Sequence, residues 1–310
     1  MKKVRPKKNL GQHFLTDLSI ARRIADTVDA CPDIPVLEVG PGMGVMTQFL
    51  IKKPRPFKAV EIDEESVEYL SRNPAFEALF SEGSNRGLTE GDFLQMDLTE
   101  IFDGRPFVLT GNYPYDISSQ IFFKMLDNKE LIPCCTGMIQ REVAQRIAAK
   151  PGNKTYGILS VLMQAWYDCE YLFTVDETVF NPPPKVKSAV IRMTRNHRTD
   201  LGCDWSLFKR IVKSTFNQRR KMLRVSLRQL LQDPLSLPVP PDFLTKRPEQ
   251  LTHEEFVLLT NAVHSSSSEA LRRAELGAQF SVRPPLTPPK GENKAPLLWG
   301  GQGGVSTLNS

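Results

Sequence analysis

Short apolar runs that alternate with helical segments constrain this chain more than any other feature. Residues 36–39, 59–62, 107–110 and 137–139 have the length and apolar character of buried strands. After them, residues 47–52, 64–71, 118–127 and 141–149 carry helical spacing. Such an alternation buries its strands as a mostly parallel sheet with helices on both faces. Ahead of it, the sequence predicts a helix from about Asp17, which can cap it, with Leu18, Ala21, Ala25 and Val28 on one face. Beyond it, 156–167 reads as an apolar helix. Strands at 171–175 and 188–193 then close the sheet as a hairpin-like pair across Pro182-Pro183-Pro184. The expected fold class is α/β: a doubly wound, mostly parallel, Rossmann-like sheet.

Composition changes mark the boundaries. Residues 194–204 turn polar, so 15–196 is expected to form one domain and 205–264 a small all-helical one. The helical part has Phe208, Ile211, Val212 and Phe216 on one stripe and Phe256, Leu259 and Val263 on another. Residues 1–14 read as a basic arm, with Lys2, Lys3, Arg5, Lys7 and Lys8 and no acid before Asp17. From Ser265 the chain becomes Ser-, Pro- and Gly-rich, and 265–310 is expected to be a disordered tail. A net charge of +5 is mild, but eight Lys or Arg stand between Asp204 and Asp233 without an acid, which suggests a polyanionic partner. Cys31, Cys134, Cys135, Cys169 and Cys203 are odd in number, with no CxxC and no clustered His. That argues against a disulfide framework or a metal site and predicts buried free thiols. No window approaches the ~18 apolar residues of a membrane helix, and the N-terminus lacks an apolar signal region, so a soluble, cytoplasmic protein is expected.

Leu37-Glu38-Val39-Gly40-Pro41-Gly42-Met43-Gly44 puts a glycine-rich turn between the first strand and a helix. At Gly40 and Gly42 the backbone can pass close to a ligand, and the helix start offers free N–H groups. Glu61 ends the second strand, where a carboxylate can accept both hydroxyls of a ribose. Asp92, past the third strand, can reach an adenine amino group. The spelling is GxGxG rather than the GxGxxG that accommodates a pyrophosphate. A nucleoside cofactor without phosphates fits better, which points to S-adenosylmethionine and a methyltransferase.

Gly111-Asn112-Tyr113-Pro114-Tyr115 follows the fourth strand, at the sheet edge where ligands bind in open α/β folds. An adenine N6 lone pair is delocalised into the ring. The Asn112 side-chain oxygen and the Tyr113 carbonyl can accept the two N6 hydrogens and favour a tetrahedral nitrogen, with Pro114 fixing the turn. Tyr115 can stack on the base. Catalysis then needs positioning and electrostatics rather than a strong base.

These strings resemble the KsgA family of ribosomal RNA adenine dimethyltransferases. The resemblance runs from about Lys7 to Val263. It includes Asn9-Leu10-Gly11-Gln12-His13-Phe14-Leu15, Val60-Glu61-Ile62-Asp63, Gln140-Arg141-Glu142-Val143-Ala144, Phe180-Asn181-Pro182-Pro183-Pro184-Lys185 and Phe216-Asn217-Gln218-Arg219-Arg220-Lys221. It implies a class I methyltransferase fold, S-adenosylmethionine contacts at His13, Leu15, Gly40, Glu61, Asp92 and Asn112, and a helical C-terminal domain. Phe180 matches an aromatic near the target base, opposite Tyr115. The implied substrate is a pair of adjacent adenosines near the 3′ end of 16S rRNA in an immature 30S subunit, acted on by a monomer. Many members have Leu where Tyr113 stands, and only its backbone carbonyl is implicated. Arg141, Arg146, Lys185, Arg219, Arg220, Lys221 and Arg224 are the candidate RNA contacts, several of them on one predicted helix. Two other readings stay open: adenine-N6 methylation of another RNA or of DNA, and a non-catalytic ribosome-assembly factor. Intact Gly40, Glu61, Asn112 and Tyr115 count against the last.

Overall fold

The computed structural model describes residues 4–7, 11–240 and 242–280, with side chains described as far as Ser266. Lys2, Lys3, Lys8, Asn9 and Leu10 of the expected arm, and 281–310 of the expected tail, lie outside the described residues.

The alternation forms the expected sheet. β1 (Phe14–Leu15) precedes α1 (Leu18–Ala25), and then β2 (Val36–Val39), α2 (Thr47–Leu50), β3 (Phe57–Glu61), α3 (Glu64–Ser71) and β4 (Arg86–Glu90) follow. Next come β5 (Val108–Thr110), α4 (Ser118–Asp127), β6 (Cys134–Gln140), α5 (Arg141–Ile147), α6 (Ile158–Gln164), β7 (Tyr167–Val175), β8 (Phe180–Asn181) and β9 (Ser188–Arg195). Seven strands lie in the order β4-β3-β2-β5-β6-β9-β7; the first five are parallel, β9 runs antiparallel to both its neighbours, and β7 at the far edge points the same way as the first five. The strand order reverses between β2 and β5, and their carboxyl ends open a crevice there.

Strand alternation sorts the core into two faces. Leu37, Val39, Leu109, Cys135, Ile139 and Ile191 share one apolar cluster with Ile121 and Phe122 of α4 and Ile147 of α5. Val36, Val108, Cys134, Met138 and Val190 share the other with Ala21 and Ile24 of α1, Leu50 and Leu70. Asp17 caps α1 by accepting the N–H groups of Ser19 and Ile20, as expected. Leu18, by contrast, is 54% exposed, and Ile24 takes the buried place.

Several expectations need correction. The apolar segment 156–167 is helical only over α6, because Tyr167 already pairs with Arg195 in the sheet. The third strand expected before Asp92 is Arg86-Gly87-Leu88-Thr89-Glu90, which forms β4 at the edge of the sheet, where charges and a glycine are tolerated. Cys31 and Cys134 are not free thiols but a disulfide. The helical turn after α1 delivers Cys31 to the start of β6, with the Cα atoms 5.9 Å apart. Cys135, Cys169 and Cys203 are free, and burial pushes the Cys135 thiol up to about 12, which leaves it unreactive.

Past residue 204 come α7 (Trp205–Asn217), α8 (Leu223–Ser226) and α9 (His253–Phe280), with short 3-10 turns between α8 and α9 where prolines interrupt the pattern. The basic stretch is therefore two helices rather than one. The break lets Leu223 turn inward, fully buried, with its N–H on the Lys246 carbonyl. The apolar cluster continues from the sheet into α7 and α9 through Phe208, Ile211 and Phe256, and Trp166 meets Trp205 edge-on at 5.8 Å. Residues 15–196 and 205–264 therefore share one core rather than having one each. The change of composition at Ser265 does not end the helix, since α9 runs to Phe280.

Candidate active site

The crevice brings together the glycine turn after β2, Glu61 and Ile62 after β3, Asp92 and Phe93 after β4, the 112–115 turn after β5, and Gly11 to Leu15 of the arm. Sequence positions far apart thus converge because each ends a parallel strand.

Glu61 is 4% exposed at the end of β3. One carboxylate oxygen accepts the Gly42 N–H at 2.8 Å and the other the Asp63 N–H at 2.9 Å. Burial pushes its carboxyl up, and these two N–H groups oppose that rise. Each oxygen keeps a further lone pair, enough for a pair of vicinal hydroxyls. Gly42 has φ +54, and a Cβ there would stand 3.1 Å from the Phe14 ring, so a side chain at this position is strained and presses on the arm. Glu38, behind the turn, is 1% exposed and accepts the Thr47 hydroxyl at 2.7 Å; burial raises its pKa to about 8. Asp92 accepts the Leu94 N–H with one oxygen and leaves the other for a ligand. Carboxylates beside a turn whose wall is otherwise mainly apolar suit a nucleoside without phosphates, and the residues present fit S-adenosylmethionine.

On the far wall, the Asn112 amide nitrogen donates to the His13 carbonyl at 3.3 Å, leaving its oxygen as an acceptor. The turn is pinned to β6 by the Tyr113 N–H on Met138 O and the Met138 N–H on Gly111 O, both at 2.9 Å. The Tyr113 ring is 1% exposed, and its hydroxyl donates to Thr136 O at 3.1 Å and meets Cys135 Sγ at 3.2 Å. The side chain therefore anchors the turn, a role that sequence reasoning missed. The signal was Gly137 in an otherwise bulky strand. A Cβ there would come within 2.7 Å of the Tyr113 ring and 2.4 Å of Gly111 O. Tyr115 is half-buried, with its hydroxyl tied to Ser188 and its ring stacked on His13 at 5.5 Å. His13 thus faces Tyr115, with Nδ1 2.9 Å from Pro182 O.

Phe180 stands elsewhere than expected. It is 4% exposed, pairs with Leu15 across β1 and β8, lies in the α1-side core and does not line the crevice. Among the basic candidates, Arg141, Arg146, Lys185, Arg220, Lys221 and Arg224 are exposed, and Arg146 pairs with Glu142. Arg219 is engaged by Glu249 and the Asn153 carbonyl.

The sequence profile of a family described as ribosomal RNA adenine dimethylase matches residues 3–237. The chain belongs to the ribosomal RNA adenine dimethylase family. It is 66% identical over 264 residues to a ribosomal RNA small subunit methyltransferase A of Phocaeicola vulgatus, covering 85% of this chain and 91% of that protein. Its identity to the protein of the same name in Bacteroides fragilis is 67% over 267 residues, covering 86% and 95%. Among solved structures, a Plasmodium falciparum dimethyladenosine transferase superposes with a TM-score of 0.65 at 22% identity over 81% of this chain and 98% of that one, a likeness of fold. The 23S rRNA methyltransferase ErmE superposes with a TM-score of 0.58 at 26% identity, over 81% and 99%. This adenine dimethylase is an S-adenosylmethionine-dependent enzyme of the class I methyltransferase fold, with a C-terminal helical region. Among the described residues no helix is long and apolar enough to cross a membrane.

Proposed function

We propose that the enzyme transfers methyl groups to N6 of two adjacent adenosines near the 3′ end of 16S rRNA, within an immature 30S subunit, and acts as a cytoplasmic monomer. The names of its relatives support the small subunit as target. Bound S-adenosylmethionine supplies an electrophilic methyl group. Glu61 holds the ribose, Asp92 the adenine amino group, and Gly40, Gly42, His13 and Leu15 shape the remaining wall. Asn112 Oδ1 and the Tyr113 carbonyl accept the two N6 hydrogens of the target, which draws its lone pair out of conjugation. Pro114 keeps the turn rigid, and Tyr115, held by Ser188, stacks on the base. Phe180 supports the site by pairing with the arm rather than by stacking. Residues 15–196 carry the chemistry and 205–264, with Arg141, Arg146, Lys185, Arg220, Lys221 and Arg224, grip RNA phosphates; Arg219 braces that surface.

The observation that carries this reading is the Asn112 amide. Its nitrogen is spent on the His13 carbonyl, so an acceptor oxygen is left at the edge of the crevice that Glu61 and Asp92 also line. Asn112→Ala is expected to abolish transfer while RNA binding, read by filter retention, stays close to wild type. A near-normal rate in that variant would contradict the assignment.

A further inference from the structure

Asp63 is a buried acid, 2% exposed, placed at the N-cap position of α3. A carboxylate there ordinarily accepts the free N–H groups of the first helical turn. This one accepts none of them. Its Oδ1 receives Lys7 Nζ at 2.5 Å, and its Oδ2 receives Gln12 Nε2 at 3.1 Å and the Ser66 hydroxyl at 2.8 Å. Lys7 and Gln12 are themselves joined, the Lys7 N–H donating to Gln12 Oε1 at 2.8 Å. Lys7 Nζ also meets Glu65 at 3.2 Å. Burial alone would push the Asp63 carboxyl up, but the bonds from Lys7, Gln12 and Ser66 outweigh it and hold it below the usual range.

The same residue touches the cofactor wall, since its backbone N–H donates to Glu61 Oε1 at 2.9 Å. The arm it holds continues directly into that wall. Gly11 to Leu15 line the crevice, Phe14 packs on Gly42, the His13 carbonyl fixes Asn112, and β1 pairs with β8.

We propose that Asp63 is a positioning residue that latches the arm, through Lys7 and Gln12, as a wall of the cofactor site. The proposal rests on the assignment of the crevice to S-adenosylmethionine. A cofactor leaving the crevice has to part the arm from the glycine turn, and the latch sets how much of the population keeps that wall in place. Loosening it lowers the fraction competent to bind and so weakens apparent affinity, while saturating cofactor holds the arm closed and returns His13 to Asn112 and Tyr115.

The test uses the full chain with S-adenosylmethionine and no RNA. Equilibrium binding by calorimetry is paired with hydrogen exchange of the arm, for Lys7→Met and for Asp63→Asn. Lys7 lies outside every helix and strand, so its variant reports even if Asp63→Asn folds poorly. Both variants are expected to bind the cofactor about three- to tenfold more weakly. Turnover at saturating cofactor, measured separately with rRNA, should stay within about twofold of wild type. Adding cofactor should slow exchange at residues 11–15 in the wild type and much less in the variants. A merely structural role for Asp63 would instead lower the melting temperature and leave the affinity of Lys7→Met unchanged. Unchanged affinity and arm exchange in Lys7→Met would overturn the latch. Failure of the wild type itself to bind would overturn the cofactor assignment beneath it.

Discussion

Two glutamates on neighbouring strands, Glu38 and Glu61, are buried to nearly the same degree and have different surroundings. Glu61 faces the crevice with two backbone N–H partners, whereas Glu38 has one hydroxyl and the desolvating core. Glu61→Gln keeps the shape but leaves only one oxygen to accept, and cofactor affinity is expected to fall about tenfold or more in a binding titration. For Glu38 the folded pKa of about 8 lies above the ordinary value of 4.5. Over that interval the unfolded chain releases its proton first, so this group makes stability decline as pH rises from near 4.5 to about 8. Glu38→Gln removes the titration, and its melting temperature relative to wild type should therefore rise between about pH 5 and pH 8. A constant gap would contradict the protonated Glu38. Both acids were legible as residues because each sits at a fixed offset from an apolar strand, although only Glu61 was given a role. The Tyr113 side chain was not legible. Its partners lie on β6, and only the sheet register brings Cys135, Thr136 and Gly137 beneath it.

At the scale of elements, Gly137 is the tightest join between the catalytic turn and the sheet. Its φ of +149 and the two contacts a Cβ would make mean that Gly137→Ala has to move either Gly111 or Tyr113. The expected cost is about 2 kcal/mol or more in denaturant unfolding, with a fall in transfer rate at unchanged cofactor affinity. Full activity would show that the turn is not pinned there. Central strands and their following helices were readable because burial on both faces imposes long apolar runs. What escaped was everything set by a distant partner. β1 and β8 exist only because residues 14–15 and 180–181 meet, and the Cys31–Cys134 bond joins segments whose separation of 103 residues no motif spans. The break of the basic helix at residues 218–222 likewise follows from where Leu223 must be buried.

At the scale of the molecule, the helical region shares the core of the sheet, so the basic surface after α7 is held rigidly against the catalytic fold. Its candidates are not equivalent. Arg220 and Lys221 are exposed, while Arg219 is committed to Glu249 and Asn153. Replacing Arg220 and Lys221 together by Gln should weaken rRNA binding and flatten the dependence of log affinity on log salt, by about one unit for each phosphate that is no longer neutralised. An unchanged slope would remove them from the interface. Direction of the adenine dimethylase to the small ribosomal subunit can be measured by offering labelled S-adenosylmethionine with undermethylated 30S subunits, naked rRNA and DNA in parallel. Label is expected in N6,N6-dimethyladenosine of the 30S subunit, with little in the other two. Transfer to DNA or naked rRNA in preference to the subunit, or none to any adenine despite bound cofactor, would contradict it.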